Sequence, residues 1–229
     1  MKLTPETFTV LKNFGSINSY LAIEPGHTLN TSAAAGVLAR ATVKEEFPAQ
    51  IIIYDLNQFL SVAGLFQQPD FAFDAGFVRI TGAQTEAEVR YLYGPLLVLT
   101  ATPSKPPALP RHIIEFDLPE ETWLTVQKAA AVLGKKEIRI VSDGEAVYIQ
   151  TFDHKNPSSH TYLVPLAAEP DGIRCEHILS LAKVTLVQGS YHVAVSARFT
   201  MFTHTSGFDL TYWVACDPNS TFDIRETAA

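Results

Sequence analysis

Ile51-Ile-Ile-Tyr-Asp-Leu-Asn-Gln-Phe-Leu60, continued by Ser61-Val62-Ala63-Gly64 to Leu65, changes its period at a single acid. An apolar, β-branched run breaks at Asp55, a residue type that caps helices. Behind it Leu56, Phe59, Leu60 and Ala63 fall at i, i+3, i+4 and i+7, one stripe of a helix. The stretch therefore reads as a short strand feeding a helix through a cap. Cys175, Ile178, Leu179 and Ala182 repeat the spacing about 119 residues later, behind the polar run Glu169-Pro170-Asp171-Gly172. That repeat predicts a second such helix, from about Arg174 to Val184.

Leu3-Thr4-Pro5-Glu6-Thr7-Phe8 and Leu118-Pro119-Glu120-Glu121-Thr122-Trp123 open two more helices in one manner, with proline in the first turn, at an offset of about 115. Two matches in the same order at nearly one offset predict a duplicated half. Thr102-Pro-Ser-Lys-Pro-Pro-Ala-Leu-Pro110, almost at the middle, is rich in breakers and has no periodicity, so it is expected to be an extended, stiff connector. The expected organisation is residues 1–101, connector 102–110, and residues 111–229.

In the first half a helix at 5–14 precedes strands at 19–24, 27–32, 37–43 and 51–54, then the helix from Asp55 to about Phe66 and strands at 71–73, 77–81 and 88–93. The second half reads the same way: a strand at 112–116, a helix at 119–133 ended by Gly134, strands at 138–141, 147–152 and 161–165, the helix from Arg174, and strands at 191–197, 199–204 and 208–215. This order makes an α+β chain.

Length, 229 residues, suffices for two domains with a core each. The net charge of −7 argues against a chain coated in nucleic acid or anionic lipid, so any positive surface must be local. Cys175 and Cys216 show no paired Cys/His spacing, which suggests inert thiols in a reducing compartment without structural metal. There is no signal-peptide pattern and no apolar run near the roughly 18 residues that span a bilayer, so no membrane partner is expected.

No catalytic constellation emerges. His112, His154, His160, His192 and His204 fall on predicted strands or turns, and no histidine pairs with an acid or nucleophile at a motif spacing. GxSxG, Walker and GxGxxG patterns are missing, and Asp143-Gly144 and Asp171-Gly172 read as turns before metal ligands. Neither enzyme activity nor a cofactor is expected. The helices carry more information. Leu11 and Phe14 share one side of the first, with Thr9, Lys12, Asn13 and Ser16 opposite. Trp123, Val126, Ala130 and Leu133 form the apolar stripe of the helix after Pro119, with Lys128 opposite beside Thr125 and Glu121. Lys183 and Ser180 lie across from Ile178, Leu179 and Ala182 on the helix predicted from Arg174. A lone lysine on a wet helix face is also the ordinary arrangement of a solvated helix.

Met1-Lys-Leu, Leu11-Lys-Asn-Phe14 with Ile17-Asn18, Ile53-Tyr-Asp-Leu-Asn57 with Phe59-Leu60, and Lys105-Pro106 leading to Leu109-Pro110 together resemble the DNA polymerase sliding clamp of T-even-type tailed bacteriophages. Gln188-Gly189-Ser190-Tyr191 carries the thinner resemblance of the second half. The resemblance implies two duplicated clamp-fold domains, helices inside and antiparallel sheets outside, with three chains closed into a ring. It implies a processivity factor that encircles duplex DNA without reading sequence, tethers the replicative polymerase, is opened by an ATP-dependent clamp loader and also serves late transcription factors in the cytoplasm of the infected bacterial host. Lys12 and Lys128 match family positions that face DNA, and Lys2, Arg174 and Lys183 extend that set. Pro107, Leu109 and Pro110 match an apolar pocket for the C-terminal peptide of the polymerase, although Pro-Pro-Ala-Leu replaces the bulkier aromatic run of the family. The competing class is a β-rich virion structural or assembly protein that encircles no DNA.

Overall fold

Asp55 is the N-cap of a helix: its backbone is extended and its side chain accepts from the amide of Gln58 at 2.9 Å. In the computed structural model, which describes residues 1–94, 105–111, 113–156 and 158–224, the helix behind this cap is α2, Leu56–Ala63. It buries Leu56, Phe59 and Ala63 of the predicted stripe and leaves Leu60 half-buried. The strand before it is β4, Ile51–Ile53, which pairs antiparallel with β1, Leu21–Ile23. The chain divides into two compact units, one of residues 1–34, 38–106 and 208–210 and the other of residues 35–37, 107–207 and 211–229.

In the first unit, α1, Pro5–Ile17, has Thr4 as N-cap, its hydroxyl accepting from the amide of Thr7 at 3.3 Å. Glu45 reinforces that start. Burial alone would raise its carboxyl pKa, but hydrogen bonds from the Thr7 hydroxyl and the Thr4 amide hold it below its ordinary value. Gly15 lets α1 approach α2: a Cβ there would lie 2.7 Å from Oδ1 of Asn57, whose Nδ2 donates to the Gly15 carbonyl at 3.2 Å. The hairpin strands β2, Gly26–Ala33, and β3, Val37–Phe47, follow α1 and β1. A meander of β5, Asp70–Phe73, β6, Phe77–Gly82, and β7, Thr85–Leu92, closes the unit. Phe59 meets Phe71 at 5.7 Å and Tyr91 edge-on at 5.2 Å, contacts that add about 0.5–1.5 kcal/mol each beyond area burial.

The second unit opens with β8, Ile114–Leu118, and α3, Glu120–Val132. Its sheet runs β11, Leu163–Leu166; β10, Val147–Phe152; β9, Glu137–Asp143; β12, Ile173–Ser180; and β16, Thr221–Ile224. β8, β13 (Tyr191–Val195), β14 (Phe199–His204) and β15 (Asp209–Ala215) also pair antiparallel in that order. The structure corrects the sequence reading here. The helix expected from Arg174 to Val184 is strand β12 followed by a turn at 181–183. Alternation decides it: Ile173, Cys175, His177 and Leu179 are buried, while Arg174 and Glu176 point to solvent. The described residues thus form three helices, two in the first unit and one in the second, so the two halves do not share one order of elements. β16 was also missed, and the expected strand start at His112 lies outside the described residues.

Candidate nucleic-acid interface

α1 and α3 sort their residues as the helical period requires. Val10, Leu11 and Phe14 are buried on α1, with Thr9, Lys12 and Ser16 exposed and Asn13 half-exposed. Trp123, Val126 and Ala130 are buried on α3, leaving Glu121, Leu124, Thr125 and Lys128 exposed; Leu133 is half-buried beyond the helix end. Each helix offers solvent a lightly charged face with one lysine, and the face of α3 also carries the exposed Glu121.

The start of α3 explains a motif. Pro119, its N-cap, has no side chain able to cap, and the first helical amide, Glu120 N–H, donates instead to the Ser190 hydroxyl at 3.2 Å. Gln188 donates to the Glu120 carboxylate, and the Tyr191 ring is fully buried. Between them Gly189 (φ +145°) passes so close to His204 that a Cβ would collide with its Nε2. Gln188 and Ser190 therefore hold the start of α3, while Gly189 and Tyr191 pack against His204.

The family model "DNA polymerase processivity factor" matches residues 4–71, the segment holding α1, the Asp55 cap and α2. The sliding clamp of Vibrio phage KVP40 is 28% identical over 95% of this chain and 99% of its own length. The sliding clamp of Escherichia phage RB69 is 24% identical over 98% of this chain and all of its own length. Over nearly its whole length the chain is thus similar to phage sliding clamps. In fold it is similar to A. fulgidus PCNA, solved with the C-terminal region of FEN-1, at a TM-score of 0.66 and 14% identity over 92% of this chain and 94% of that one. The α+β clamp fold expected from the sequence is thus borne out.

The remaining expected site residues scatter. Lys2 is exposed beside α1, next to an N-terminal amine that donates to the Phe71 carbonyl at 2.7 Å. Arg174 sits not on a helix face but on β12, exposed across from Asp143 on β9 and Asp223 on β16. Lys183 is half-exposed in the turn after β12, at the strand's end and off any helix. Pro107 and Pro110 are exposed and Leu109 is 38% exposed, while residues 102–104 of the connector lie outside the described residues. Sequence reasoning missed His177, fully buried on β12 with neither ring nitrogen hydrogen-bonded among the described residues. Its alternation with Ile173 and Cys175 was the available signal.

Proposed function

We propose that this chain closes with two further copies into a ring around duplex DNA and holds the replicative DNA polymerase to its template. The carrying observation is the near-complete coverage, on both sides, of the match to a phage sliding clamp. Retention is then mechanical, with no reaction of its own. Lys12 and Lys128, one per exposed helix face, would touch phosphates weakly enough to let the ring move, and topology would keep it on DNA. An edge strand, β11, which opens on the exposed Leu163 and follows the exposed Tyr162, suits pairing with a second copy. Residues 102–110 would join domains 1–101 and 111–229, with Pro107, Leu109 and Pro110 receiving the C-terminal peptide of the polymerase. An ATP-dependent loader would open the ring in the cytoplasm of the infected host, and late transcription factors would share it.

The test is retention on circular duplex after loading. Protein should co-elute with a nicked circle and be lost when one cut makes the circle linear, because a ring slides off an end. Equal dissociation from circle and line, or a mass in solution that never reaches three chains, would overturn the reading in favour of a virion structural protein.

A further inference from the structure

The basic residues of the second unit gather where α3 ends. Gly134 (φ +65°) terminates the helix, with the Lys135 amide donating to the Ala130 carbonyl at 2.7 Å, and the chain enters β9 through Lys136. The loop from β10 to β11 reaches the same place. Lys135 is buried and its ammonium is spent on the Ser159 hydroxyl and, at 4.0 Å, on the Asp153 carboxylate. Glu137 is likewise spent: both carboxylate oxygens lie 2.8 Å from Nδ1 of His154. The third strand end arrives with the Leu181 amide, which donates to the Lys136 carbonyl at 2.9 Å and brings Lys183 into the turn. Lys136 and Lys155, both exposed, line one concave surface with Glu137, Phe152, Asp153 and His154, and neither lysine has an acidic side-chain partner among the described residues.

Asp153 is thus paired with Lys135 and Glu137 is hydrogen-bonded to His154, and even without any charge on His154 the three lysines Lys135, Lys136 and Lys155 outnumber these two acids on a chain of net charge −7. Helix α3 itself is polar in charge, with Glu120 and Glu121 in its first turn and Lys128 toward its end. Complementing the helix dipole would explain lysines in the turn after α3, but not Lys155, which is delivered by another element. Compact ammonium groups on separate loops match the spaced point charges of a phosphodiester backbone.

We propose that Lys136 and Lys155 form a phosphate-contacting surface for duplex DNA, extending the exposed face of α3 past its C-terminal turn. It rests on the clamp reading above and adds to Lys128 two residues that sequence periodicity could not supply. The experiment is equilibrium binding of a short fluorescent duplex to the full chain across a salt series, for wild type, Lys136→Ala/Lys155→Ala, Lys136→Gln/Lys155→Gln and the control Lys44→Ala/Arg198→Ala. Both test pairs should flatten the slope of log affinity against log salt by about 2, with melting temperature and assembly state unchanged, while the control keeps the wild-type slope. Wild-type binding with unchanged slopes in both test pairs would overturn this proposal and leave the clamp reading standing. A wild type that neither binds duplex at low salt nor stays on circles would overturn both.

Discussion

The stripes from Leu56 to Ala63 and from Cys175 to Ala182 have nearly the same apolar spacing in sequence, yet the first is a helix and the second falls mostly on β12, an interior strand of a sheet. The difference lies in what precedes each stripe. Asp55 stands directly before Leu56 and caps it, whereas Arg174 stands directly before Cys175 and offers no acceptor to free amides. Asp171 (φ +48°) and Gly172 (φ +75°) turn the chain with left-handed backbone, and β12 starts at once, held by β9 on one side and β16 on the other. An apolar stripe at helical spacing without a cap is thus weak evidence when the same residues also alternate.

The sharpest contrast between the units should appear in acid. His177 is buried without hydrogen-bond partners among the described residues, and burial pushes its imidazole down to about 4 from an ordinary 6.5. Between those values the unfolded chain binds more protons than the folded one. Stability fully present above pH 6.5 should therefore fall by up to about 3 kcal/mol as pH drops toward 4. Glu45 in the first unit also loses its contribution in acid, but its lowered carboxyl places that loss below the ordinary carboxylate value of 4.5. Urea unfolding of wild type and His177→Leu at several pH values checks this. The variant should lose the change between pH 6.5 and 4, and an undiminished change would assign it to other groups.

A smaller effect separates the two turns. Gly172 has open space where a Cβ would stand but a left-handed backbone, so Gly172→Ala should cost about 1–2 kcal/mol through backbone strain alone. Gly64, at the end of α2, has an ordinary right-handed φ of −67°, and the same change there should cost less; equal unfolding midpoints for the two variants would refute the contrast. The smallest effect tests the cap. Asp55→Ala should cost about 1 kcal/mol and Asp55→Asn much less, read from urea midpoints, since asparagine keeps the acceptor for Gln58. No loss with alanine would mean that packing of Phe59 holds α2 without its cap.

Local signals were sufficient wherever one residue type performs one task at short range. Asp55 as a cap, the buried stripes of α1 and α3 and the exposure of Lys12 and Lys128 could all be read from the chain, because a helix's period and end chemistry act within a turn or two. Tertiary structure alone decided the rest. The competition between two periods at Ile173–Ser180 was settled by hydrogen-bonding neighbours far along the chain in β9 and β16, which no local stripe encodes. That outcome moved Arg174 and Lys183 off any helix face, and the meeting of the α3 turn with the β10–β11 loop put Lys136 beside Lys155. A charge cluster assembled from separate strand ends has no spacing in sequence, because sheet register sets its distances.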